Sequence, residues 1–171
     1  MDARARIAVV GAGNGFRRDG GAGRAVVARL RERAGSRPLP PGTVPATCDG
    51  DPTGLIGLRE DAGLAVVADA AHTRPGSPGR THRPDIDGER LGRPPTTGSH
   101  GLGLGLGEAV ELARVPGRLP GRLAVYAVEG ADRSLGTGLS SAVVDVVEPL
   151  AASVEEEIVR HRTAMAGGGP P

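Results

Sequence analysis

Three runs of mostly apolar residues organise this chain, and each is followed by glycine-rich or polar residues. They are Ile7–Val10, Leu64–Asp69 and Leu123–Val128. Nearly continuous apolar runs of this length, rich in valine, are typical of parallel strands that are buried on both faces of a sheet. Segments with helical signals separate these runs, so the chain predicts an α/β domain in which strands alternate with helices.

Four helices are predicted between and after these strands. The first runs from roughly Gly23 to Ala34, a short second one covers Leu55–Arg59, and a third runs from about Leu106 or Gly107 to Leu112. Ser140 is a good N-cap for a last helix that reaches about Val159. Its apolar residues recur at the spacing of a core-facing helix: Val143, Val146, Val147, Leu150, Val154 and Ile158.

Two further segments have strand character but contain proline. They are Thr43–Cys48, with Pro45 inside it, and Arg80–Ile86, with Pro84 inside it. Because proline cannot donate to a ladder of hydrogen bonds, both segments are expected at sheet edges. A doubly wound sheet of order 2-1-3 places the second strand at such an edge. We therefore predict a three-layer α/β/α sandwich with a mostly parallel twisted sheet.

The length of 171 residues suits one domain, which we place at residues 1–162, with a disordered tail at 163–171 that ends in glycine and proline. No apolar run approaches the ~20 residues that cross a bilayer, so no membrane association is expected. The N-terminus leads directly into a strand, which predicts no signal peptide. A single cysteine, Cys48, excludes a disulfide framework and favours the reducing cytoplasm.

The charges are balanced and dispersed. The chain has 21 basic residues, all of them arginine, and 20 acidic residues, for a net charge of +1. The arginines do not cluster, so neither a nucleic acid nor an anionic membrane is an expected partner.

Familiar catalytic and nucleotide-binding motifs are absent or incomplete. The first loop reads Gly11-x-Gly13-x-Gly15, but Phe16 stands where a dinucleotide-binding loop needs its third glycine. The chain has no lysine and hence no P-loop. It also lacks a G-x-S-x-G nucleophile elbow and an H-E-x-x-H zinc motif. Cys48, late in a strand, is typical of a small core residue.

Three residues could form a metal site at one edge of the sheet. Asp19 follows the first strand, Asp69 ends the third, and His100 lies on a loop before a helix. Ligands of open α/β sheets bind beyond the carboxyl ends of the strands, and carboxylate with imidazole suits a divalent ion such as nickel or zinc. The alternative is that the three act separately, as a helix cap, a turn residue and a loop histidine. Spacing alone favours these separate roles over a shared metal site.

The motifs, in their order along the chain, resemble those of the hydrogenase maturation endopeptidases, which trim the C-terminus of a nickel-iron hydrogenase large subunit. The resemblance covers Ile7 to about Ile158. It rests on these segments: Gly11-Ala12-Gly13-Asn14 followed by Asp19; Asp49-Gly50-Asp51-Pro52-Thr53-Gly54; Val66-Val67-Ala68-Asp69; Ser99-His100-Gly101-Leu102; Val128-Glu129-Gly130; and Gly138-Leu139-Ser140.

The resemblance implies a fold of the phosphorylase/hydrolase-like type and a set of site residues. Its metal-binding triad would comprise the second acidic residue of the first loop, the strand-end Asp69 and His100. The matching loop position here is Gly20, and the neighbouring Asp19 is the substitute that the sequence offers. The resemblance also implies that the nickel is carried by the substrate, with no permanently bound cofactor. Residues expected to bind substrate are Asn14, Asp49 and Gly50.

The function that the resemblance implies is metal-dependent endopeptidase activity. The enzyme would remove the C-terminal extension of a nickel-iron hydrogenase large-subunit precursor after nickel insertion, with that precursor as its partner. Because no nucleophile is evident, the expected chemistry is metal-assisted hydrolysis. The alternative is a catalytically impaired protein of the same fold that binds the precursor without cleaving it, because Gly20 replaces an acidic ligand. A nucleotide-binding function is the third reading, and Phe16 argues against it.

Overall fold

The computed structural model describes residues 6–49, 57, 61–71, 76–83, 85–87 and 120–168. In this part of the chain six strands form one sheet. The strands are β1 (Ile7–Ala12), β2 (Thr43–Cys48), β3 (Leu64–Ala71), β4 (Thr81–His82), β5 (Asp85–Asp87) and β6 (Arg122–Glu129). A 3-10 turn (Arg18–Gly21) leads into helix α1 (Ala22–Ala34), and helix α2 spans Ser141–Gly167.

The sheet is mostly parallel, as predicted. Its strand order is β2-β1-β3-β6-β4, and β5 also pairs with β6. The pairs β1–β2, β1–β3 and β3–β6 are parallel, whereas β4 and β5 run antiparallel to β6. The predicted α/β class is therefore confirmed.

Both proline-containing segments lie at edges of the described sheet. Strand β2 pairs only with β1 there, with Pro45 opposite Val9. The segment predicted at Arg80–Ile86 forms two short strands, β4 and β5, which pair only with β6. Pro84 lies between them, outside the described residues. Proline is tolerated in β2 because, within the described sheet, one side of this strand has no neighbouring strand that would accept a backbone hydrogen bond.

The hydrophobic core lies between one face of the sheet and the two long helices. Alternate residues of β1, β3 and β6 face α1 and α2, as the two-residue period of a strand requires. The largest members of this cluster are Ile7, Leu30, Leu64, Tyr126, Leu150 and Ile158. Residues of the opposite face are buried too: Ala8, Val10, Ala65, Val67, Leu123 and Val125. Burial on both faces is what a three-layer sandwich requires.

Ion pairs join the two helices at the edge of this core. Glu155 of α2 is almost fully buried and pairs with Arg33 of α1 and with Arg37 just beyond it. Glu148, about two turns earlier on α2, pairs with Arg33 and Arg29. Burial opposes ionisation of Glu155, but its hydrogen bonds from the two arginines outweigh it and lower the pKa of the carboxyl. These contacts fix α2 against α1.

The helix boundaries agree with the sequence in part. α1 begins one residue before the predicted start, and Ser140 is the N-cap of α2 as predicted. α2 continues past Val159 to Gly167, so residues 163–167 are helical rather than part of a disordered tail. The helices predicted at Leu55–Arg59 and near 106–112 lie outside the described residues, apart from a helical Gly57. No helix in the described part of the chain is long and apolar enough to cross a membrane.

Glycines allow α1 to pack closely against the sheet. A Cβ on Gly23 would lie 2.1 Å from the carbonyl oxygen of Ala68 and 2.5 Å from that of Ala12. A Cβ on Gly11 would lie 2.4 Å from the carbonyl oxygen of Gly23. Gly11 and Gly23 are therefore packing residues that bring the N-terminus of α1 against β1 and β3.

Gly23→Ala should destabilise the protein by about 3 kcal/mol or more, because the added methyl meets backbone on two strands that cannot both move. Urea unfolding followed by circular dichroism measures this loss. Gly15→Ala is the matched control, since a Cβ there meets nothing within 4 Å. If both variants unfold at the same urea concentration, the close approach of α1 is not a constraint on the fold.

Candidate functional site

The candidate site is the edge of the sheet where β1, β3 and β6 end. Because these strands are parallel, their carboxyl ends and the loops that follow them meet at this edge. Residues 13–21 follow β1, and residues 130–140 follow β6. The two loops are joined by backbone hydrogen bonds, from Gly136 N–H to the Phe16 carbonyl (2.9 Å) and from Arg18 N–H to the Gly136 carbonyl (3.1 Å).

Asp19 joins the same two loops through its side chain. Its carboxylate is completely buried. Oδ1 accepts a hydrogen bond from the N–H of Ser140 (2.7 Å), and Oδ2 accepts one from the hydroxyl of Ser140 (2.8 Å). Oδ2 also accepts from the N–H groups of Ala131 (2.8 Å) and Asp132 (2.9 Å). Both oxygens are thus occupied by donors of the loop that precedes α2.

These contacts give Asp19 a structural role in place of the predicted role of substitute metal ligand. Burial opposes ionisation of Asp19, but the hydrogen bonds from Ser140, Asp132 and Ala131 outweigh it and lower the pKa of the carboxyl. A carboxylate held by four hydrogen bonds would lose them if it turned to a metal ion. The Ser140 hydroxyl likewise makes no cap to α2, since it donates to Asp19 instead.

Asp19→Asn should destabilise the protein by about 3 kcal/mol, because the amide group would place a donor against backbone donors. The folded-state pKa of Asp19 is lowered, so its stabilising contribution is present above about pH 4 and is lost as the pH falls through the folded-state pKa. Urea titrations at several pH values measure both effects. Asp132→Asn, which alters an exposed carboxylate of the same loop, should have a much smaller effect, and equal losses would contradict this role.

Of the two predicted carboxylate ligands, Asp69 is the one whose oxygens are not filled by hydrogen bonds from the loop after β6. It lies near the end of β3, opposite Ala127 of β6, and is partly buried. Its Oδ1 accepts a hydrogen bond from the N–H of Ala70 (2.7 Å). Burial raises the pKa of the Asp69 carboxyl to about 6, although the Ala70 N–H and the positive charge of Arg133 act in the opposite direction. A partly buried carboxylate with a raised pKa at the carboxyl edge of a sheet is typical of a functional site.

Gly13 shows that Asp69 and residue 20 are neighbours. Gly13 has a φ of +127°, and a Cβ there would lie 2.0 Å from the Gly20 carbonyl oxygen and 3.7 Å from Oδ1 of Asp69. The carbonyl group of Gly20 and the Asp69 carboxylate therefore lie within 4 Å of the same point. The glycine at position 13 keeps that point free of side-chain atoms, so the loop backbone, Gly20 and Asp69 converge.

Position 20 has limited room for a side chain. A Cβ on Gly20 would lie 3.1 Å from Cβ of Arg17 and 3.3 Å from the carbonyl oxygen of Asn14. Its φ is not in the left-handed region, so no backbone strain opposes substitution. Small shifts of the neighbouring atoms would admit an acidic residue.

The other predicted site residues are placed as follows. Asn14 is exposed, and its Oδ1 accepts a hydrogen bond from the N–H of Phe16 (2.9 Å). Asp49 is exposed at the end of β2, where Arg24 binds both its carboxylate (3.4 Å) and the Cys48 carbonyl (3.3 Å). Gly50 and His100 lie outside the described residues, so their assignments and the shared metal of Asp69 and His100 stay predictions. Within the described ranges, no three His, Cys, Asp or Glu side chains group as a metal site.

Two residues that shape this edge have no site role predicted from the sequence, and one of them, Ser140, is predicted only as the N-cap of a helix. Arg133 acts electrostatically on Asp69, and Ser140 binds Asp19 across the loops. Both lie on the loop after β6, more than a hundred residues along the chain from the first motif. Only the parallel pairing of β3 with β6 brings that loop to the site.

Comparison with solved structures identifies proteins of the same fold. The hydrogenase maturating endopeptidase HybD from E. coli aligns with a TM-score of 0.69 and 23% identity, over 91% of this chain and 93% of its own. The [NiFe] hydrogenase maturation protease HybD from Thermococcus kodakarensis aligns with a TM-score of 0.67 and 18% identity, over 90% and 99%. The hydrogenase 2 maturation peptidase from Thaumarchaeota archaeon SCGC_AB-539-E09 gives 0.64 and 24%, over 90% and 97%.

The chain thus has the fold of the hydrogenase maturation proteases over nearly its whole length, which confirms the predicted fold and its resemblance to that group. No protein-family model matches the sequence. No curated protein matches it either.

Proposed function

We propose that this protein is an endopeptidase that removes the C-terminal extension of a nickel-iron hydrogenase large-subunit precursor. The observation that carries the proposal is the position of Asp69. A partly buried carboxylate with a raised pKa stands at the carboxyl edge of the sheet, beside loop residue 20, on the fold of the hydrogenase maturation proteases. The motifs around Asn14, Asp49 and His100 agree with this assignment.

In this proposal the nickel belongs to the substrate, where it polarises the scissile carbonyl or activates a water molecule. Asp69 and His100 recognise the metal with one carboxylate and one imidazole, ligands that suit nickel. Binding of the cation stabilises the ionised form of Asp69, which burial otherwise disfavours. Cleavage then depends on nickel, because a precursor without the metal lacks the contacts that hold it at this edge.

Gly20 supports a second candidate function. It lies beside Asp69, at the position where the resemblance implies an acidic ligand, and it has no side chain. With two ligands in place of three, the protein would bind the precursor at the same edge without cleaving it. This alternative predicts complex formation with no change in the mass of the precursor.

The test is incubation of the purified protein with nickel-loaded large-subunit precursor, followed by mass spectrometry. The proposed function predicts loss of the C-terminal extension from the nickel-loaded precursor and none from the nickel-free precursor. A stable complex with an intact precursor would favour the binding protein. If the protein neither binds nor cleaves the precursor, both functions are ruled out.

A further inference from the structure

Two large apolar side chains are exposed beside the candidate site. Phe16 and Leu135 are each 72% exposed to solvent, and Phe16 is the only phenylalanine in the chain. Burial of such side chains stabilises a folded protein, so their exposure on the surface forgoes a considerable stabilisation. Paired exposed apolar side chains next to a site are typical of a binding surface.

The backbone beneath these two residues is firmly held. Phe16 accepts a hydrogen bond from the N–H of Gly136, the residue after Leu135, and donates its own N–H to Asn14 Oδ1. The Arg18 side chain binds the Ser134 hydroxyl (3.2 Å). The two apolar side chains therefore lie on two backbone segments, residues 16–18 and 133–136, that are held together by hydrogen bonds. We call these two segments the rim.

The rim continues directly into the candidate site and carries positive charge. Phe16 belongs to the loop that contains Gly20, and Arg133 on the other segment acts on Asp69. Arg17 and Arg133 are exposed, and no side-chain hydrogen bond or ion pair joins either to another described residue. An occupant of this rim would meet two apolar side chains and the guanidinium groups of Arg17 and Arg133.

We propose that Phe16 and Leu135 form a docking surface for the protein substrate, which presents an apolar segment next to an acidic group. This inference rests on the proposed function, because the occupant is the precursor whose cleavage site reaches Asp69. Apolar contact with Phe16 and Leu135 supplies affinity, and pairing of the acidic group with Arg17 and Arg133 orients the segment. The surface binds polypeptide and has no part in the hydrolysis itself.

The experiment measures the dissociation constant of the nickel-loaded precursor for the wild type and four variants. Phe16→Ser and Leu135→Ser alter the proposed surface, whereas Val159→Ser and Met165→Ser alter exposed apolar residues of α2. Each rim variant should weaken binding about tenfold, as is usual for a central apolar contact. Each should also raise the KM for cleavage with little change in kcat, and the α2 variants should match the wild type.

The outcomes separate the docking surface from the proposed function. If the wild type cleaves the precursor and the rim variants bind it as well as the α2 variants do, the docking surface is disproved while the function stands. If the wild type neither binds nor cleaves the precursor, the function fails and the docking surface with it. If the rim variants change only the sedimentation of the protein alone, the surface joins two copies of this chain and the proposal is overturned.

Discussion

Asp69→Asn should abolish cleavage of the nickel-loaded precursor and at the same time make the protein more stable at neutral pH. The loss of activity should be about a hundredfold or more, because a neutral amide is a much weaker ligand for a divalent cation than a carboxylate. The two effects have one cause, which is the burial of a charge at a site with little compensation. Cleavage by mass spectrometry and unfolding in urea measure them independently.

The sign of the stability effect follows from the raised pKa. In the folded protein the pKa of Asp69 is about 6, whereas an unfolded aspartate titrates near 3.9. Between these pH values the folded state binds more protons than the unfolded state, so stability falls as the pH rises from about 4 to about 6. Above this range Asp69 costs about 3 kcal/mol, and Asp69→Asn should recover it. The gain should shrink towards zero as the pH is lowered to about 4.

Asp145→Asn is the control for this experiment, since Asp145 is an exposed carboxylate on α2. It should leave cleavage unchanged and produce no pH-dependent gain. If Asp69→Asn retains full activity, Asp69 is not a ligand. If it destabilises the protein at pH 7, another group of the protein stabilises the ionised carboxylate.

The strands could be predicted from the sequence because their pattern depends on local physics. The sequence predicts β2 to the residue, and β1, β3 and β6 within two residues at each end. Runs of valine and alanine like these are compatible with few secondary structures other than a buried strand. The edge position of β2 followed from Pro45, which cannot donate a hydrogen bond. The sequence predicts too short an α2, because beyond Val159 the apolar periodicity stops at the polar residues 160–163, whereas the helix continues through them to Gly167.

The site was harder to predict, because its decisive contacts join distant segments. The sequence predicts Asp69 as a strand-end ligand and Asp19 as a substitute for the ligand missing at position 20. Only the folded chain distinguishes them, since the loop after β6 fills both oxygens of Asp19 with hydrogen bonds and leaves Asp69 to the edge of the sheet. Spacing along the chain carries no information about where that loop comes to lie.

Gly20→Glu should raise nickel-dependent cleavage about tenfold or more, if the site lacks only its third ligand. Losing one charged ligand costs on the order of a few kcal/mol, and each ~1.4 kcal/mol is a factor of ten in affinity. The structure adds that the carbonyl oxygen of residue 20 and the Asp69 carboxylate lie within 4 Å of one point, and that φ at position 20 is outside the left-handed region. A Cβ there has contacts of 3.1 Å with Arg17 and 3.3 Å with Asn14 to relieve. Gly20→Asp tests whether a carboxylate on a shorter side chain at the same position can also contact the nickel.

The same substitution should act differently when nickel is absent. A second carboxylate near Asp69 makes ionisation of both carboxyl groups unfavourable, so the Gly20→Glu variant should be less stable than the wild type in metal-free buffer. Binding of the nickel-loaded precursor should restore its stability. Gly15→Glu is the matched control, because it adds the same charge to the same loop at a position whose Cβ meets nothing within 4 Å. A gain in cleavage from Gly20→Glu but not from Gly15→Glu identifies an enzyme impaired by one missing ligand. Equal, slow cleavage by both variants and the wild type shows that two protein ligands suffice, and no cleavage by any of them leaves precursor binding as the function of this edge.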